Sequence, residues 1–172
     1  MAREPGRDGT APASRGLLPK LLGYHLRRAQ TAMFQGFAEA VGAEEEITPG
    51  LFGMLQMIAA NPGLTQSRLS EAMHVDRSTI VTAVDQLEGR GLVERIPSQQ
   101  DKRSHSLCFT ARGKRAVRRM EQRVLRHEAE FARVLSARER ETLVGLLVRL
   151  YDRDGGKAGR RGRARRGRRN GR

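Results

Sequence analysis

LTQSRLSEAMHVDRSTIVTAVDQLEGRGLVERIPSQQDKRSHSLCFT, residues 64–110, reads as two short helices joined by a tight turn, then a two-stranded ribbon with a polar tip. Thr65 is a good N-cap residue, and Leu64 with Leu69 makes the hydrophobic staple that fixes the angle of entry. Leu69, Ala72 and Met73 then repeat at helical spacing, and His74-Val75 makes the turn. Asp76 is the expected cap of the second helix, with Val75 and Ile80 as a second staple. Ile80, Val84 and Leu87 face inward there, with Val81 on the flank. At about 100° per residue, Ser78, Thr82, Asp85, Gln86 and Gly89 face outward. That outward face carries no Leu, Ile or Phe. Its hydroxyl and amide groups suit a DNA major groove, where such side chains reach base edges and phosphates. Gly91 ends the helix as a left-handed cap residue.

The ribbon follows. Residues 92–96 alternate like a half-buried strand, and Pro97 is expected to leave the ladder. Residues 105–110 alternate again, with Leu107 and Phe109 inward. The tip, residues 98–104, has no apolar side chain. Asp101 and Arg103 sit two apart and can pair across it, and such a pair would hold Lys102 and Arg103 extended toward a phosphate backbone or a narrow minor groove. A surface ion pair is worth only about 0–1 kcal/mol, so its value lies in aiming the guanidinium.

A helix pair alone says little; helix pair, ribbon and basic tip in that order are far more specific. DRSTIVTAVDQLEGRGLVER (76–95) and DKRSHSLCFTARG (101–113) resemble the MarR-type winged-helix transcription regulators, the second stretch matching the family's Asp-x-Arg wing, strand and glycine. The resemblance runs over roughly residues 17–152. It implies a mainly α fold: a winged helix-turn-helix reader head (48–110) embedded in a helical dimerisation domain (17–41 and 111–152), with a small β-hairpin wing. It also implies a homodimer on a pseudo-palindromic double-stranded operator, and regulation, usually repression, relieved by a small effector. Effectors of the family are commonly anionic, often aromatic, and arginines suit an acyl-coenzyme A. The DNA-contact candidates are Arg77, Ser78, Thr79, Thr82, Gln86, Arg95, Asp101, Lys102 and Arg103. Asp85 shares their face and either restrains a neighbouring arginine or weakens non-specific binding. Candidate pocket linings are His25, Arg28, Phe34, Phe37, Met54 and Met57, each of which is also plain core or solvated surface when taken singly.

The flanking segments agree with a chain that needs a partner. Hydrophobic content of 38% and aromatic content of 4% are low for a self-sufficient globule of 172 residues. Residues 17–41 place Leu18, Leu22, Leu26, Ala29, Met33 and Phe37 along one helical stripe. Thr48 caps the next helix with Pro49 at its first position, Ile47 and Phe52 as staple, and Leu51, Leu55 and Ile58 inward. After the wing, Thr110 opens a long helix to about Leu135, with Val117, Met120, Val124, Phe131 and Val134 on its apolar side. Ser136-Ala137-Arg138-Glu139 is a capping box for a last helix with Leu143, Leu146, Leu147 and Leu150 on one face. Three amphipathic helices outside the reader head therefore lack something to bury against.

The formal net charge of +14 is unevenly spread: residues 155–172 carry eight Arg and one Lys with no acid, so +9 belongs to the tail and +5 to the rest. Within 74–103, five basic and five acidic residues balance, so the reader's case rests on geometry and the wing tip. Residues 1–16 read as a disordered lead-in and 153–172 as a disordered Arg/Gly-rich tail. That tail either tethers the protein to DNA phosphates or is an inert solubilising end. Used alone, it would make a non-specific architectural DNA-binding protein, the alternative reading.

No apolar run approaches the roughly 20 residues of a membrane span, no secretory signal opens the chain, and a cytoplasmic, nucleoid-associated protein is expected. The lone Cys108 excludes an intramolecular disulfide and reads as an incidental thiol, because family members that sense peroxide place that cysteine near the N-terminal dimer helices. His25, His74, His105 and His127 show no metal-ligand spacing, and no GxSxG, P-loop or GxGxxG occurs, so neither an enzyme, a metal nor a cofactor is expected.

Overall fold

A computed structural model describes residues 13–42, 46–98 and 104–152. The lead-in through residue 12, the tail from residue 153 and the wing-tip residues Asp101, Lys102 and Arg103 lie outside the described residues. The elements in order are α1 (Leu22–Phe37), α2 (Pro49–Ala60), α3 (Gln66–Met73), α4 (Arg77–Gly89), β1 (Val93–Pro97), β2 (His105–Phe109), α5 (Ala111–Phe131) and α6 (Ala137–Tyr151). The fold is mainly α with one antiparallel hairpin, as the sequence implies. The chain divides into two compact units, with the boundary after Val124, inside α5.

The first unit holds the winged helix. Leu55 of α2, Leu69 of α3, Ile80, Val84 and Leu87 of α4, Leu92, and Leu107 of β2 are all fully buried in one cluster. Burial of each such leucine or isoleucine is worth about 1.5–3 kcal/mol. The local signals read from the sequence do their expected work at α2 and α3: Thr48 Oγ1 accepts from Leu51 N and Thr65 Oγ1 from Arg68 N. His74, in the turn, takes the left-handed conformation at φ 52°. Gly91, at φ 66°, closes α4, with its N–H donating to Glu88 O and that of Leu92 to Leu87 O. Asp76 stands at the N-cap position of α4, yet its carboxylate makes no capping hydrogen bond, against expectation.

The hairpin pairs Val93 with Phe109 through to Pro97 with His105. Pro97 thus stays in the ladder instead of leaving it, and the register explains why. Ser98 N donates to Ser104 O at 2.9 Å, so 98/104 is a hydrogen-bonded pair and 97/105 is not. At a non-bonded position the missing N–H would have pointed away from the partner strand, and nothing is lost. Ile96 is exposed, so the inward alternation of this strand stops short of it. On the other side of β2, Leu107 N donates to Leu64 O at 2.8 Å, which fastens the wing to the start of α3.

Two helices are shorter than their periodicity suggests. Pro19 lacks an N–H for a ladder, and the chain closes a 3₁₀ turn, Leu18–Lys20, extends at Leu21 and only then begins α1. A π-helical turn, Ala38–Gly42, follows α1. Helix α5 stops at Phe131, not near Leu135, and Val134 is 81% exposed in the turn beyond it. In the second unit, Ser136 and Glu139 form the expected capping box of α6, and Arg140 reaches Glu128 at 3.3 Å. Leu143, Val144 and Leu146 of α6 are exposed, as are Leu22, Leu26 and Phe34 of α1 in the first unit.

Candidate nucleic-acid interface

Because α4 buries Ile80, Ala83, Val84 and Leu87, its opposite face is forced outward. Ser78, Thr79, Thr82, Asp85 and Gln86 are all exposed there, with Arg77 at the helix start. Thr82 Oγ1 donates to Ser78 O at 3.1 Å, so its hydroxyl proton is used within the helix and its lone pairs face out. The guanidinium of Arg77 donates to Ser67 Oγ of α3 at 2.6 Å, which holds the first turn of α4 against the preceding helix. Ser67 was not singled out from the sequence; ten residues separate the pair, and only the turn brings them together.

Beside this face runs an open cleft of about 460 Å³ between α2 and α4. Thr48, Gly50, Leu51 and Met54 form one wall, and Ser78, Thr79, Thr82, Ala83 and Gln86 the other. Among the described residues no charged side chain lines it, and its polar groups are hydroxyls and one carboxamide.

Arg95, a candidate phosphate contact, has partners within the chain. Its guanidinium donates to Asp85 Oδ1 at 2.5 Å and also to Glu88 Oε2, while its backbone N–H donates to Glu88 Oε1 at 3.2 Å. Burial works against the charged guanidinium, but the hydrogen bond to Asp85 and the charges of Glu88 and Asp85 outweigh it and hold the pKa above the ordinary arginine value. Asp85 therefore does restrain a neighbouring arginine. The spacing held a signal: Asp85 and Glu88 are three apart on one flank of the helix, and the first strand returns past that flank.

Within a single subunit the six candidate pocket residues do not converge. Phe37 and Met54 are buried in the core, the Phe37 ring lying 6.1 Å from that of Phe52, and Met57 packs partly buried against the same cluster. Phe34 is exposed. His25 Nε2 bonds Pro19 O at 2.8 Å, and Arg28 donates to Tyr24 OH at 3.3 Å and lies over its ring. Core packing claims three of the six, and local partners, the 3₁₀ turn for His25 and Tyr24 of α1 for Arg28, claim the two polar ones. Only Met54 lines the cleft beside α4.

Cys108 is half-buried in β2 with Glu94 as its cross-strand neighbour. Among the described residues no cluster of His, Cys, Asp and Glu is placed to hold a metal ion, and no helix is long and apolar enough to cross a membrane.

A helix pair whose second member presents hydroxyl and amide groups, followed by a fastened hairpin, is a winged helix-turn-helix reader. Comparison with known proteins makes the class specific. The family model for the MarR family matches residues 47–105. A putative transcriptional regulatory protein for the hcr operon of Thauera aromatica is 48% identical over 151 residues, spanning 88% of this chain and 91% of that one. The solved structure of the transcriptional repressor CouR bound to a 23-mer DNA duplex superposes with a TM-score of 0.76 at 35% identity, covering 81% of this chain and 99% of that chain. CouR bound to p-coumaroyl-CoA gives a TM-score of 0.73 at 35% identity, covering 80% and 96%. The chain belongs to the MarR family of DNA-binding transcriptional regulators.

Proposed function

We propose that the protein is a sequence-specific repressor, released from its operator by the coenzyme A thioester of an aromatic acid. The observation that carries the first half is the outward face of α4, hydroxyl and carboxamide side chains with a single acid, Asp85, paired to Arg95. Such groups discriminate base edges, whereas a basic face would bind any duplex. The second half is supported by the likeness to CouR, which binds p-coumaroyl-CoA. Two subunits related by a two-fold axis present two α4 helices to successive major grooves about one helical turn apart, with Lys102 and Arg103 of each wing at the flanking minor groove. The effector acts by binding better to a dimer state with the wrong half-site spacing; a ligand indifferent to spacing would shift nothing. The protein binds the thioester and does not turn it over.

The test is fluorescence anisotropy at about 0.15 M salt on DNA from upstream of the gene, against scrambled DNA of equal length. The expected preference is about a thousandfold or more. Aromatic acyl-CoA thioesters release the complex and are recovered intact, while free coenzyme A and the free acid do not release it. Thr82→Ala and Arg103→Ala lose specificity. Removal of residues 155–172 keeps it and makes the salt dependence shallower, because up to nine cations leave. Equal affinity for both DNAs that collapses on that truncation would instead establish architectural binding through the tail. A CoA thioester without effect on the operator complex would refute the effector class alone.

A further inference from the structure

An acid on a helix that enters the groove of a polyanion needs an explanation, and α4 has two on one flank. Asp85 is 59% exposed and Glu88 39% exposed at the side chain, Asp85 on the outward face of α4 and Glu88 one turn on along its flank. The side chain that meets both is Arg95, whose own side chain is only 22% exposed. Its guanidinium forks, with Nη2 on Asp85 and Nη1 on Glu88. The second oxygen of Glu88 takes the backbone N–H of Arg95. The ladder register makes that amide available: 95/107 is a non-bonded pair, like 97/105, so the N–H of Arg95 points away from β2. Strand β1 is thereby tied to α4 through three hydrogen bonds at a single residue.

We propose that Arg95 is a positioning residue for DNA reading: it offsets half of the charge of Asp85 and Glu88 on the groove-entering helix and locks the wing to that helix, instead of contacting a phosphate itself. With Arg95 in place the three groups sum to one negative charge; without it two carboxylates face the duplex unscreened. The residual negative charge has its own use. It lowers affinity for arbitrary DNA, where phosphate attraction is the whole of the binding, and costs less at an operator, where base contacts add to it. The fork also fixes where the wing strand starts relative to α4.

This inference rests on the reading of α4 as the groove-entering helix, and the test separates the two. The full-length chain is titrated with operator and with scrambled duplex over a series of salt concentrations, as wild type, Arg95→Gln, Asp85→Asn, and the triple variant Arg95→Gln/Asp85→Asn/Glu88→Gln. Arg95→Gln should weaken operator binding about tenfold or more, the scale of a lost charge-assisted contact. The slope of log K against log salt should stay at the wild-type value, since no phosphate partner is removed. Asp85→Asn should strengthen binding to scrambled DNA and narrow the preference for operator, a change that a purely structural role would not produce. The triple variant, which keeps the shapes and removes the charges, should recover operator affinity to within about threefold of wild type. The inference is overturned if Arg95→Gln lowers the salt slope by about one, the signature of a lost phosphate contact, or if the triple variant binds operator no better than Arg95→Gln. A wild-type protein without preference for any operator would bring down the reading of α4, and this inference with it.

Discussion

Gly113 lies in the first turn of α5 against the backbone of Leu92, where a Cβ built on its backbone would fall 1.8 Å from the Leu92 carbonyl oxygen. No rotamer change relieves a clash with backbone, so Gly113→Ala must move α5 away from the end of α4. It should lower stability by about 3 kcal/mol, the upper part of the usual overpacking range. Gly89 gives the opposite sign: it is exposed, the last residue of α4, with nothing within 4 Å of its notional Cβ. Gly89→Ala should stabilise by about 0.5–1 kcal/mol through helix propensity. Urea midpoints measured for both variants at one protein concentration check the pair. The sequence shows Gly113 as part of a motif but not its reason, because the reason is a carbonyl twenty-one residues away. The partners of Arg95 were hidden on the same account. A basic residue on a wing strand looks like a phosphate contact until the fold brings two carboxylates to it.

At the scale of the element, what could be read was what is decided within about five residues. The caps at Thr48, Thr65 and Ser136, the turn at His74 and the glycine stop at Gly91 are local bargains between side chain and backbone, and all five stand where the sequence puts them. Asp76 has the right residue type without the bond, and the 3₁₀ and π turns flanking α1 break a stripe that the periodicity alone carries straight through. The α6 capping box yields a pH prediction. Ser136 Oγ at 2.7 Å and Ser136 N at 2.8 Å both donate to Glu139 Oε2, and the Ser136 side chain first, then its backbone, holds that carboxyl below the ordinary glutamate value. The depressed folded pKa means that the box contributes stability above the unfolded glutamate pKa and loses it as pH falls through the folded one. A carboxyl carbon-13 titration should place the Glu139 midpoint below the usual glutamate range, and Ser136→Ala should move it back up. An unshifted midpoint in the wild type would mean that the box does not form in solution.

For the whole molecule, the shortage of core-forming side chains is the property that reaches furthest. The winged helix closes its own core, but α1 and α6 each leave an apolar row uncovered: Leu22 is 58% exposed and Leu146 48%. Rows of that kind on a chain of this composition call for a partner surface, and we propose that a second copy of the chain provides it. That need was legible in the stripes; the geometry of the cover was not, since it depends on a surface contributed by another chain. The need also governs DNA binding. Two reader heads held together make the second half-site contact effectively intramolecular, so that overall affinity exceeds that of one head by a factor of about 10²–10⁴. Leu146→Asp places a charge in the uncovered row of α6 while leaving the winged-helix core untouched. Sedimentation velocity should show the variant as a monomer at concentrations where the wild type is a dimer, with its helix content kept. Its operator affinity should fall at least a hundredfold, while binding to a single half-site should hardly change. A variant that stays dimeric would put the subunit contact elsewhere, and one that loses half-site binding as well would mean that the reader head depends on the dimer for its fold.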